Sequence, residues 1–145
     1  MQQQTIDIVF DFPQAPAKIF NWLGDHNNLG LVFAPFKVKR IRDGQGYLNG
    51  VGSVRRLSAF PMPPVEETVT VYEPEQRIEY TITSPGGPIR DHLGVMRFEP
   101  NGEGTRLHYT ITFTGRLPLA GPVLKVGLEQ GILRGFRKLA RMSIG

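Results

Sequence analysis

The sequence predicts an α+β protein: a curved, seven-stranded antiparallel sheet wrapped around one long C-terminal helix, with two short helices after the first strand. Three observations predict it. Strand-like segments follow one another from residue 36 to residue 115 with only short turns between them, which leaves no room for parallel crossovers. One long helical pattern, from Pro122 to about Met142, closes the chain. A single helix is too narrow to cover seven strands, so the sheet has to wrap, and wrapping leaves a hollow beside the helix.

Each element carries its own signal. Thr5 to Phe12 alternates strictly, with Ile6, Ile8, Phe10 and Phe12 on one side and Thr5, Asp7, Val9 and Asp11 on the other, the period of a half-buried strand. Pro13 and Pro16 break it. Ala17 to Leu23 then reads as a short helix through Ile19, Phe20 and Leu23, stopped by Gly24 and Asp25, and His26 to Phe33 as a second, limited by Pro35. Six strands follow: Phe36 to Arg42, Gly52 to Phe60, Val65 to Tyr72, Arg77 to Thr83, Asp91 to Glu99 and Thr105 to Gly115. Their turns are marked by Asp43-Gly44, Phe60 to Pro64, Glu73-Pro74, Pro85 to Pro88 and Asn101-Gly102. Leu117 to Gly121 reads as a loop, and Pro122 suits a first helical turn. Leu124, Leu128, Ile132, Phe136, Leu139 and Ser143 share one face of the last helix, whereas Lys125, Arg134, Arg137, Lys138 and Arg141 occupy the others.

Bulk composition narrows the function. The chain has 145 residues, 40% hydrophobic and 21% charged, which is the profile of a globular protein, and the length of one domain spanning 1–145. It contains no cysteine, which excludes disulfides, thiolate metal sites and cysteine nucleophiles and fits a cytoplasmic location. The first twelve residues lack the features of a secretory signal. The most apolar stretch, Leu117 to Leu133, is interrupted by Lys125 and Glu129 and falls short of the ~20 residues that a membrane span needs. A net charge of +4 suits solubility better than nucleic-acid binding. His26, His92 and His108 are scattered without metal-ligand spacing, and Gly50-Val51-Gly52-Ser53 precedes a strand rather than a helix, so neither a metal nor a dinucleotide cofactor is expected.

Strand parity picks out the side chains that face the hollow. If residues 59 and 63 pair across the Met62 hairpin, Leu57 faces Val65 and Arg55 faces Glu67. The apolar members of that set belong inside, so Arg55 and Glu67 point inside too, close enough for an ion pair. The same argument places Tyr80 and Ile82 inside, with His92, Met96 and Phe98 from the next strand and Leu107, Tyr109, Ile111 and Phe113 from the last. The expected pocket is apolar with five polar groups, Arg55, Glu67, Tyr80, His92 and Tyr109, and is lined further by Leu57, Ile82, Met96, Phe98, Ile111, Gly131 and Ile132. Each polar group has a plainer role open to it: Arg55 and Glu67 as a mutually neutralising pair, His92 as a hydrogen-bonded core residue, the two tyrosines as wall. Gly127, Gly131 and Gly135 form a stripe on the last helix that either leaves space for a ligand or lets the helix pack closely on the sheet. Phe60-Pro61-Met62-Pro63-Pro64 is the expected rim loop, apolar enough for an entry gate or a homodimer contact.

The words Gly52-Ser53-Val54-Arg55-Arg56-Leu57, Glu67-Thr68-Val69, Asp91-His92 and Gly104-Thr105-Arg106-Leu107, in that order before a closing helix, resemble the polyketide cyclase/dehydrase and lipid-transport (SRPBCC) group of the START-like, or Bet v 1-like, superfamily. The resemblance implies a helix-grip fold and an apolar small-molecule ligand such as a lipid, hormone or polyketide. It also implies a cavity-facing position for Glu67, by analogy with hormone-binding members. Three functions follow. The first is a binding or carrier protein for an apolar small molecule (lipid, quinone or polyketide-like), working without a cofactor. The second is a cyclase, dehydratase or hydrolase in which Glu67 or His92 moves a proton while Arg55 stabilises an enolate or carboxylate. The third is an interaction module using the rim loop and the basic helix.

Overall fold

The computed structural model describes residues 2–84, 87, 89–117 and 119–144. Strand β1, Gln3–Phe12, leads through helix α1, Pro16–Gly24, and a 3-10 helix, His26–Leu31, into β2, Lys37–Arg42. Then come β3 (Val54–Ala59), β4 (Met62–Glu73), β5 (Arg77–Ile82), β6 (Ile89–Asn101) and β7 (Gly104–Gly115), and finally helix α2, Ala120–Ala140. The strands form one antiparallel sheet in the order β1-β7-β6-β5-β4-β3-β2, so the first strand closes against the last and both edges come from the N-terminal part of the chain.

Register irregularities in β2, β3 to β4, β4 and β6 bend the sheet, as extra residues in a ladder do. One of them corrects the expected hairpin. Arg55 does pair with Glu67 and Leu57 with Val65, but Ala59 pairs with Met62 rather than with residue 63. The turn therefore shrinks to Phe60-Pro61, and Met62, Pro63 and Pro64 belong to β4 rather than to a rim loop. A second irregularity, between Val69 and Val71, changes which face the strand presents, so that Tyr72 turns inward to pack on Phe20 at 5.3 Å. The predicted turn at Pro85 to Pro88 lies, except for Gly87, outside the described residues, as does Pro118.

The short helices are set by local chemistry. Pro16 occupies the start of α1, where its missing N–H costs nothing, and Ile19, Phe20 and Leu23 bury its apolar face. Asp25 ends that helix through its backbone N–H to the Trp22 carbonyl and caps the next through its carboxylate, which accepts from the Asn27 N–H. The 3-10 helix is shorter than the segment expected from the sequence, and its buried residues are His26 and Leu29. Helix α2 packs on β1 and β7. Its C-terminal end is tied down by Gln14, whose Nε2 donates to the carbonyls of Leu139 in the last turn (2.8 Å) and of Met142 just beyond it (3.0 Å).

The interior has two ends. One is solid: Phe10, Phe12, Tyr109 and Phe136 pack with ring centroids 4.7–6.1 Å apart, and Phe20 meets Phe98 at 5.1 Å. The other end, between the open side of β3 to β6 and the first half of α2, is hollow.

Candidate functional site

The hollow end holds a cavity of about 100 Å³. Its apolar wall comes from Phe33 and Phe36 after the 3-10 helix, Leu57, Val65, Ile82, Ile89 and Ile111 from the sheet, and Leu124 and Leu128 from α2. Phe36, Val65, Ile82, Ile89, Leu124 and Leu128 are half-buried, so the cavity opens to solvent along this rim. Three side chains with polar atoms complete the lining: Glu67, Tyr80 and His92.

Behind Glu67 stands a chain of buried polar groups. Arg55 Nε donates to Glu67 Oε1 at 2.7 Å, and Arg55 Nη1 to His26 Nδ1 at 3.1 Å. A guanidinium can only donate, so His26 carries its proton on Nε2 and gives it to Ser53 Oγ, 2.8 Å away. Burial, and then the charges of Arg55 and Arg40, hold the His26 imidazole down at about 3, so the ring is neutral. The Arg55 guanidinium lies 4.2 Å from the centre of the Tyr80 ring, a cation–π contact in a dry setting. Burial opposes the charge on Arg55, but Glu67 and the two neighbouring tyrosines outweigh it, and the guanidinium stays ionised.

His92 arrives by a different route. The register of β6 shifts between Arg90 and Leu93, and Asp91 adopts φ 53°, a left-handed conformation that Asp tolerates better than most residues. His92 shares the inner face with Gly94, Met96 and Phe98, and the extra residue lets Ile89 turn inward as well. His92 Nε2 lies 3.8 Å from Glu67 Oε2, with its ring 5.3 Å from that of Tyr80. Burial lowers its proton affinity, Glu67 raises it, Arg55 lowers it, and the net shift is downward. The Tyr80 hydroxyl is committed to that of Tyr109. Burial pushes both phenols above their ordinary range. Gly94 makes this pairing sterically feasible: a Cβ there would fall 2.2 Å from Tyr80 Cζ.

Of the twelve residues expected at the pocket, the structure brings six to the cavity wall: Leu57, Glu67, Tyr80, Ile82, His92 and Ile111. Arg55 and Tyr109 sit one layer behind, touching Glu67 and Tyr80. Met96, Phe98 and Ile132 share the inward face but are packed in the solid core. Gly131 also lies outside the lining, and the nearest atom to a Cβ on it is the Ala34 carbonyl oxygen at 3.7 Å. Sequence reasoning turned Val65 inward without naming it in the lining, and did not select Phe33, Phe36, Ile89, Leu124 or Leu128, nor His26 for the polar chain. Leu124 and Leu128 were legible on the helix face, one to two turns before the residues chosen.

The geometry can be set beside known proteins. Residues 3–142 match the family described as polyketide cyclase / dehydrase and lipid transport. The chain belongs to this polyketide cyclase/dehydrase and lipid-transport family. No curated protein matches it in sequence. Among solved structures, the Zhui aromatase/cyclase from Streptomyces sp. R1128 is similar at TM-score 0.74 and 18% identity, over 96% of this chain and 92% of that one. Ara h 8.0201 is similar at TM-score 0.70 and 18% identity, over 96% and 98%. The Mll3558 protein from Rhizobium loti is similar at TM-score 0.66 and 23% identity, over 94% and 96%. At these identities the likeness establishes the fold, a Bet v 1-like helix grip, and leaves function to the site. Among the described residues of this family member, no helix is long and apolar enough to cross a membrane.

Proposed function

We propose that the protein binds or carries an apolar small molecule, lipid-, quinone- or polyketide-like, in the cavity between the open side of the sheet and the first half of α2. The observation that carries this reading is the composition of the wall: nine apolar side chains around a short polar floor of Glu67, Tyr80 and His92. Such a wall gains from apolar contact and uses few polar groups to orient the guest. A cavity of about 100 Å³ is smaller than most ligand sites, so the ligand enters by one end and extends through the rim. Under this proposal the protein works in the cytoplasm, and any homodimer forms through the exposed hairpin tip, where Phe60 is 100% exposed.

Native mass spectrometry of freshly purified protein, followed by denaturing extraction, tests the proposal. A co-purifying apolar compound that is lost in a Leu128→Trp variant, in which the new ring occupies the cavity, is the expected result. A compound that stays bound in that variant sits elsewhere and contradicts the proposed site.

A second reading, a cyclase- or dehydratase-type enzyme, is favoured by one observation: the Glu67 carboxylate and a neutral His92 lie 3.8 Å apart on the same wall. In that reading one of them moves a proton, and Arg55 acts by holding Glu67 in place rather than by touching substrate. Glu67→Gln and His92→Phe would then abolish product formation from a poly-β-ketone substrate while leaving its binding measurable. Equal turnover in the wild type and both variants would dismiss it.

A further inference from the structure

The polar floor of the cavity has a definite hydrogen-bonding demand, and that demand narrows the ligand. Glu67 Oε1 is taken by Arg55 Nε at 2.7 Å, whereas Oε2 is 3.8 Å from His92 Nε2, too far for a direct hydrogen bond. A single oxygen about 2.8 Å from each atom would sit to the side of the line joining them and bridge both at roughly 85°, a bent but workable hydroxyl geometry. A carboxylate accepts only, and a neutral imidazole with its proton turned toward that carboxylate donates only. The atom that satisfies both must donate to Glu67 and accept from His92. A hydroxyl does both. A carboxylate does not, because it has no proton to give Oε2 and would bring a second negative charge into a poorly screened wall. An ammonium has nothing with which to accept from His92.

His92 Nδ1 is buried without a partner among the described residues, and a proton on Nε2 beside the carboxylate leaves an acceptor there rather than a buried donor unpaired, the cheaper of the two tautomers. The Tyr80 hydroxyl is occupied by Tyr109. Arg55, the nearest cation, is 3% exposed and does not line the cavity, although its Nη2 has no partner. Its charge is paired with Glu67 and lies over the Tyr80 ring.

We propose that the cavity selects an apolar molecule ending in a neutral hydroxyl, an alcohol or phenol, and rejects the corresponding carboxylate, with Glu67 and His92 reading the hydroxyl from its two sides. The inference rests on the cavity being the ligand site. An apolar cavity of about 150 Å³ takes benzene, so a hollow of about 100 Å³ holds at most one ring at the hydroxyl end, with the rest of the molecule passing out through the open rim.

Three probes of one shape decide it: 4-propylphenol, 4-propylbenzoate and propylbenzene, titrated at pH 7.5 and followed by two-dimensional NMR of the labelled protein. The expected order is phenol about tenfold tighter than the hydrocarbon, as one good buried hydrogen bond provides, and the benzoate at least tenfold weaker than the phenol. The shifts should centre on Ile82, Ile111 and Leu124. His92→Phe should reduce the phenol's advantage over the hydrocarbon while leaving hydrocarbon binding intact. Glu67→Gln should narrow the gap between phenol and benzoate. Should that variant fail to fold, the wild-type order and His92→Phe still decide. Hydrocarbon binding as tight as phenol would overturn the hydroxyl reading and leave the cavity standing, as would benzoate binding as tight as phenol. If none of the three binds, the cavity reading itself falls, and this inference with it.

Discussion

Arg55 has its Nε on Glu67, its Nη1 on His26 and its guanidinium face on Tyr80, all out of water. Removing such an ion from one side only strands the other, so Arg55→Met should cost about 3–5 kcal/mol of unfolding free energy in urea. Replacing Arg55 and Glu67 together by methionines should cost far less, because a buried pair is often matched by apolar residues of like volume. A second outcome concerns pH. Folded His26 resists protonation down to about 3, whereas the same ring in the unfolded chain accepts a proton near 6.5. Above that pH neither state takes the proton, and the stability is fully present. As pH falls from about 6.5 toward 3 the unfolded state binds a proton the folded state refuses, and stability drops by about 1.4 kcal/mol per unit. His92, lowered chiefly by burial, pulls in the same direction. Between pH 7 and pH 5, a His26→Asn variant should therefore lose about 2 kcal/mol less than the wild type in matched urea titrations. The partnership of Arg55 with Glu67 was legible in the sequence because parity around a hairpin survives small errors at its tip. His26 was not: nothing in Asp25-His26-Asn27 announces that the ring turns inward beneath β3, a fact of tertiary packing alone.

Among the elements, α2 shows how one sequence pattern can hold different physics. The glycine stripe offered two readings, space beside a ligand or close packing; none of the three glycines lines the cavity, Gly135 packs closely and Gly127 faces solvent. A Cβ on Gly135 would lie 2.7 Å from Val32 Cα and 2.8 Å from the Leu31 carbonyl oxygen, backbone atoms that cannot swing aside. A Cβ on Gly127 would meet nothing within 4 Å. Gly127→Ala should therefore stabilise the protein by up to about 1 kcal/mol, a rise of about 2–4 °C in Tm, through helix propensity alone. Gly135→Ala should destabilise it by about 1–3 kcal/mol despite the same gain in propensity. Differential scanning calorimetry of the two variants would separate the effects, and a shift of the same sign in both would contradict this account. In β6, periodicity of two identified the inward face through His92, Met96 and Phe98 correctly as a face. It could not say how far along the strand the hollow extends, because parity fixes direction and not height. Height comes from where α2 crosses the sheet, and no local pattern records that.

At the scale of the whole molecule, β1 pairs with β7 along its full length and α2 rests on both, so the two ends of the chain complete each other. We propose that residues 1–145 unfold as one cooperative unit, with the fluorescence of Trp22 and far-UV circular dichroism falling together in denaturant. Two separated transitions would instead indicate independent parts. Fold class, the order of elements along the chain and the closing helix were all readable because each needs only period, turn chemistry and the cover a sheet requires, whereas the pairing of β1 with β7 was not. The small volume of the hollow was not readable, since it depends on how far Phe10, Phe12, Tyr109 and Phe136 fill the other end. That division of labour has a consequence for how the protein can change. The rim residues Val65, Ile82, Ile89, Leu124 and Leu128 are half-buried and lie at the hollow end, away from the aromatic block, although Ile89, Leu124 and Leu128 still pack on the core. Apolar-for-apolar substitutions among them alter the outline offered to a guest at less cost to stability than changes within that block. A lineage, or an engineer, can therefore retune what the molecule accepts by successive single changes, each of them still a folded protein.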